Sequence, residues 1–191
     1  MPSVEQPIVP FANAAAFRRW LKANHAKHQG IWMQLAKKDS GIASITYAEA
    51  LDEALCYGWI DGQKKTYDAE YWLQKFTRRG ARSVWSKVNI GHIERLTNAS
   101  RMHPAGEAAV AAAKADGRWE RAYHSSSTHE LPADFIEAVS EHANARALFG
   151  TLNSANRYAI YFRLTTARKP ETRARRFEQL LEMLKRGEKL H

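Results

Sequence analysis

Phe17, Trp20 and Leu21 recur at spacings of three and four behind Asn13, so the pattern predicts a helix from Ala14 to about His25 with an asparagine cap. The period then shortens. After Gly30, the alternation of Ile31, Met33 and Leu35 predicts a strand with one buried face, ending at Lys37 and Lys38. Asp39-Ser40-Gly41 reads as a turn, and Thr46 as the cap of a helix from Tyr47 to Tyr57 that turns Leu51, Ala54 and Leu55 inward and stops at Gly58. Trp59 to Thr66 and Tyr71 to Thr77 predict two strands joined across Tyr67-Asp68-Ala69-Glu70 as an antiparallel hairpin. On the first, Trp59, Asp61, Gln63 and Lys65 should share a face; on the second, Trp72, Gln74 and Phe76.

Past the polar bend Arg78-Arg79-Gly80-Ala81-Arg82, Ser83 is the expected cap of a helix that aligns Trp85, Asn89, Ile93 and Leu96. Pro104 opens an alanine-rich helix ending near Asp116-Gly117. His124 to His129 holds no apolar side chain and runs into Leu131-Pro132, which marks a boundary. Beyond it the period gives three helices: one with Phe135, Ile136 and Val139, one with Tyr158, Tyr161 and Phe162, and one with Ala174, Phe177, Leu181 and Leu184 between Pro170 and Gly187. The expected fold is α+β, predominantly helical, with a small antiparallel sheet in an N-terminal domain (1–123), a linker (124–130) and a C-terminal helical subdomain (131–191).

Composition narrows this picture in two ways. With 191 residues, 45% of them hydrophobic, the chain can build a core of its own. Its single cysteine, Cys56, closes no internal disulfide, which points to a reducing compartment, the cytoplasm. The apolar stretch Ile8 to Phe17 contains Ala12-Asn13-Ala14, a mimic of a cleavage site, but no basic residue precedes Arg18, and Pro10, with Pro7 just before the stretch, interrupts the run. No eighteen apolar residues follow one another, so no membrane span is expected.

The net charge of +9 is unevenly spread. Lys64 to Lys87 holds seven basic and two acidic residues, and Arg163 to Arg176 holds six and one. Such concentrations either attract phosphates, nucleic acid, anionic lipid or acidic small molecules, or form a solvated surface.

The usual catalytic words are missing: the sequence has no phosphate-binding loop, dinucleotide fingerprint, nucleophile elbow or metalloprotease His-Glu-x-x-His. His25 and His28 have the spacing of two metal ligands without evident companions, and His124 and His129 flank the serine run; a solvated position suits all four, and no metal or cofactor is expected. Cys56 sits among apolar helix positions and reads as a small buried side chain. Asp61 is harder to account for, because an acid beside Trp59 on a sheet face needs a partner. Either it forms a structural salt bridge with Lys65 or an arginine of the bend, or it joins Trp59, Trp72, Arg78, Arg79, Arg82, Trp85 and Asn89 around a pocket for a planar or anionic ligand. Aromatic and basic residues interleaved in this way also suit single-stranded nucleic acid.

Several words in this chain resemble the YdeI/OmpD-associated family, also called bacteriocin-protection proteins. They are Glu49-Ala50-Leu51, Gly58-Trp59-Ile60-Asp61-Gly62, Phe76-Thr77-Arg78-Arg79, Ser83-Val84-Trp85-Ser86-Lys87-Val88-Asn89 and Arg101-Met102-His103-Pro104-Ala105-Gly106. The run Ala167-Arg168-Lys169-Pro170-Glu171-Thr172-Arg173-Ala174-Arg175-Arg176, with Leu181 and Gly187 behind it, resembles that family's closing helical region. The resemblance implies a small bacterial protein linked by name to bacteriocin protection or to an outer-membrane porin, and it carries over no catalytic residue. The expected role is a non-enzymatic binding or stress-protection protein that recognises an anionic or aromatic small molecule or a partner protein. A nucleic-acid binder using the two basic segments, and an enzyme using Asp61 or Cys56, are the alternatives.

Overall fold

The computed structural model describes residues 6–191; the first five residues of the expected N-terminal domain lie outside them. The described residues hold eight helices and a four-stranded mixed sheet, an α+β fold whose chain divides into two compact units. The first unit runs to Ser83 and resumes over Asn89–Asp116; the second comprises Val84–Val88 and Gly117–His191.

In the first unit the sheet has the order β1-β2-β4-β3, from β1 (Ile8–Pro10), β2 (Gly30–Ala36), β3 (Trp59–Thr66) and β4 (Tyr71–Arg78). The expected sheet was antiparallel. It is mixed because the apolar N-terminal stretch, which the pattern left unassigned, adds β1 parallel to β2, with Trp32 N donating to Pro7 O at 2.9 Å. A strand of three residues is too short to show a period, and its Pro10 suits an edge position.

Helices α1 (Ala14–Asn24) and α2 (Tyr47–Cys56) form where the apolar spacing places them. Asn13 Oδ1 accepts from Ala16 N at 3.0 Å, and Thr46 and Glu49 close a capping box that sets Tyr47 in the first turn of α2. The core between helices and sheet contains Phe17, Leu21, Ile31, Met33, Leu35, Leu55, Trp59 and Phe76, all buried. Each such side chain contributes about 1.5–3 kcal/mol through its removal from water. Phe17 meets Phe76 at 5.9 Å between ring centroids, and Trp20 meets Trp59 edge-on at 5.7 Å.

One charged group lies in this apolar packing. Glu53 is buried on α2 and accepts from Arg18 (2.8 and 2.5 Å) and from Arg101 (2.6 Å), while its neighbour Asp52 accepts from Arg95 at 2.6 Å and meets His92 at 3.1 Å. The pair ties α2 to α1, to α3 (Lys87–Asn98) and to the turn before α4 (Pro104–Ala115). Burial raises the Asp52 carboxyl, and Arg95 and His92 together pull it below its ordinary value.

Helix α3 starts at Lys87, four residues after the expected cap. Ser83 Oγ instead accepts from Gly80 N at 3.1 Å and closes the preceding turn. Trp85 is therefore not a helical residue: in the second unit its carbonyl accepts from Tyr123 N at 3.0 Å and its ring packs on Trp119 at 5.0 Å.

The second unit has its own core: Phe135 and Val139 on α5 (Ala133–Ser140), Ala145 on α6 (Ala143–Thr151), Ile160 and Leu164 on α7 (Ser154–Thr165), and Leu180 and Leu184 on α8 (Pro170–Lys185). Ile136, expected inside, is 46% exposed, and Ala174 is exposed while Leu180 takes the core position. Helix α6 was not foreseen, because its alanine-rich sequence leaves only a faint apolar stripe. The 124–130 segment is held against α7: His124 N donates to Tyr161 Oη at 2.8 Å, and the His129 ring lies 5.3 and 5.1 Å from those of Tyr158 and Tyr161.

Candidate functional site

Strand β3 does not keep the simple alternation its sequence suggests. Asp61 pairs with Phe76 but Lys64 pairs with Gln74, so β3 takes three steps where β4 takes two, and one extra residue bulges. The buried Gln74 side chain fills the irregularity, its Nε2 donating to Gly62 O (2.9 Å) and Gln63 O (3.3 Å). The bulge changes which residues meet. Lys64 joins Asp61, Trp72 and Gln74 on one face, whereas Lys65 passes to the other and sets its ammonium 4.4 Å from the Trp32 ring.

These residues, with Tyr47 from α2, line a cavity of about 500 Å³: Tyr47, Asp61, Gly62, Lys64, Trp72 and Gln74. Tyr47 Oη donates to Asp61 Oδ2 at 2.8 Å, and its ring lies 6.3 Å from that of Trp72. Burial, then the hydrogen bond and charge of Asp61, push the Tyr47 phenol well above its ordinary value, so the hydroxyl stays a donor at any physiological pH. A second cavity of about 390 Å³, lined by Lys64, Lys65, Thr66 and Trp72, shares two of these walls. The arrangement offers an aromatic surface, a carboxylate and ammonium groups side by side.

Of the residues singled out from the sequence, Asp61 and Trp72 meet here. Arg78 and Arg79 do not. Arg78 stands six steps beyond Trp72, roughly 20 Å along a strand, and both arginines line a different cavity of about 300 Å³ with His25, Ala26, Tyr57, Gly58, Ala105 and Ala109. Trp59 lines none of these three cavities; fully buried, it donates its indole N–H to His25 O at 3.2 Å. Arg82 is exposed in the bend, Asn89 is half-buried on α3, and Trp85 belongs to the second unit. The expected salt bridge of Asp61 with Lys65 is replaced by the tyrosine hydrogen bond, because the bulge sends Lys65 to the opposite face. Tyr47, Lys64 and Gln74 escaped the sequence reading; the signal was Gly62, since a glycine inside a strand marks a bulge.

Cys56 offers little nucleophilic character: it is buried, and burial followed by the charge of Glu53 pushes its thiol up to about 11. Among the described residues no three His, Cys, Asp or Glu side chains gather as a metal site; the His25 ring lies against Tyr57 and His103, and that of His28 against Trp20.

Residues 9–109 match the family model described as a domain of unknown function, DUF8412. The chain belongs to the DUF8412 family. Every residue lining the cavities above falls within the DUF8412 match. Residues 128–187 match a second model, described as bacteriocin-protection, YdeI or OmpD-associated. The words from Ala167 to Gly187 lie in that second match, and the tryptophan-bearing words from Glu49 to Gly106 lie in the DUF8412 one. No curated protein and no solved structure matches the chain significantly. No helix among the described residues is long and apolar enough to cross a membrane.

Proposed function

We propose that the Trp72 cavity binds a small planar ligand that carries an anionic group, and that the protein works as a binding module. The observation that supports this is the convergence of Asp61, Lys64 and the Tyr47 and Trp72 rings on one depression of about 500 Å³, within the size range of small-molecule sites. The ligand's ring lies against Trp72, its anionic group faces Lys64, and an N–H or O–H donates to the Asp61 carboxylate. Bacteriocin protection, named in the description matched by residues 128–187, is then a consequence of capture. We place the action in a bacterial cytoplasm, since the single cysteine is a free thiol and suits a reducing compartment; fractionation of native cells checks this.

Thermal unfolding with benzoate, nicotinate and indole-3-acetate tests the reading. A rise in Tm that grows with the logarithm of ligand concentration is expected, corresponding to a stabilisation of about 2.7 kcal/mol when a ligand reaches a hundred times its Kd. Trp72→Ala and Lys64→Ala should each weaken it at least tenfold. No stabilisation by any of the three, or equal stabilisation of the variants, contradicts it.

A second reading has one observation behind it. Lys65 and Lys75 lie 4.4 and 5.6 Å from the Trp32 ring on the opposite sheet face, a basic and aromatic surface of the kind single-stranded nucleic acid uses. It predicts retarded bands with oligo(dT) at low salt that vanish as salt rises; their absence at low salt eliminates it.

A further inference from the structure

The third cavity, at the Arg78 end of β4, calls for its own explanation. We infer that it is a site for a small oxoanion of the phosphate or phosphomonoester class. Its eight lining residues include two guanidinium groups, an imidazole and a phenol, and no carboxylate. A guanidinium in a concave wall, with an imidazole and a phenol beside it, attracts an anion and can hold it through paired N–H donors, and Arg78 is placed to do so. Arg78 is oriented for this: its Nη1 donates to Ala26 O at 3.1 Å, which uses one of five N–H donors and fixes the plane of the rest.

The floor is rigid. Gly58 has a φ of +72°, and a Cβ there would come within 2.8 Å of Ala105 O, so backbone meets backbone beneath the cavity. The wall is stiff as well, with Tyr57 stacked on His103 at 4.4 Å and 21° and His25 against both rings. A volume of about 300 Å³ stands at the low end for ligand sites, which suits a phosphate with at most a small substituent. The site is independent of the Trp72 reading, shares no lining residue with it and takes a different ligand.

Proton NMR of the histidine ring signals during titration with inorganic phosphate tests the inference, with sodium chloride at matched ionic strength as reference. The expected result is a saturable shift of the His25 and His103 signals beyond that seen with chloride. Arg78→Gln should weaken it at least tenfold, whereas Arg82→Gln, a change in the same bend outside the cavity, should leave it unaltered. Glycerol phosphate distinguishes the source: tighter binding than phosphate assigns a monoester, weaker binding a free anion. If the wild-type signals shift no further with phosphate than with chloride, or if Arg78→Gln responds like wild type while its histidine signals remain dispersed, the inference is overturned.

Discussion

At the Arg78 end of β4 the cavity is founded on main chain: Gly58 abuts Ala105, and Gly106 of α4 packs on the carbonyl of Cys56. At the Trp72 end it is built from side chains, a tyrosine hydrogen-bonded to an acid and a glutamine amide spanning a bulge. The difference is instructive about how freely each can vary. A cavity walled by side chains changes ligand by substitution, with the strands beneath it undisturbed. One founded on apposed backbone cannot change shape without moving a helix, so its chemistry is confined to the groups at its mouth.

The largest expected effect falls on the backbone-founded end. In Gly106→Ala the new methyl would overlap Cys56 O, and overpacking of this kind costs about 3 kcal/mol. Gly62→Ala at the other end meets only Lys75, at 3.7 Å, and should change stability by less than about 1 kcal/mol. Urea unfolding of both variants measures the contrast. Next comes Glu53→Gln, which removes the negative charge shared by Arg18 and Arg101 and leaves one of the two acceptor oxygens. Because the arginines keep partial access to water, the loss should be roughly 2 kcal/mol, with the ring contacts of both cavities unchanged by NMR.

Tyr47→Phe acts at the Trp72 end alone. It deletes one hydrogen bond, at about 1 kcal/mol, and should weaken benzoate binding while leaving the phosphate response of His25 and His103 intact. The smallest effect is one of pH. Burial, then the neighbouring His25, hold His103 below its ordinary value, with Lys22 lowering it further and Glu107 opposing. The folded state thus binds this proton less readily than the unfolded one. The stability His103 contributes is complete above about pH 6.5 and is lost as pH falls through its folded value. His103→Asn, which keeps a capping side chain, should flatten that slope between pH 7.5 and 5.5.

Much of this architecture was legible from period and punctuation. Asn13, Thr46, Gly58, Pro104 and Gly187 act locally, through caps and left-handed turns, so their neighbours disclose them. What stayed hidden depends on partners distant in sequence. β1 exists because Trp32 and its neighbours lend it a ladder, and α6 because Ala145 and Leu152 pack against other helices, while neither segment has a strong period of its own. The site suffered from one register assumption. Strict alternation put Lys65 beside Asp61, and a bulge of one residue exchanged it for Lys64. Closeness in sequence likewise suggested one pocket for Asp61 and the Arg78 bend, although the length of β4 sets Trp72 and Arg78 in separate cavities.

We propose that the side-chain-built end of β4 receives a planar anionic ligand, and nitrogen-15 correlation spectra of the indole and backbone N–H groups during titration with indole-3-acetate are the decisive measurement. The Trp72 indole and the Gly62 amide should move together and saturate, while the buried Trp59 indole, bonded to His25 O, stays in place. Saturating shifts confined to other residues, or no saturation at all, would contradict it.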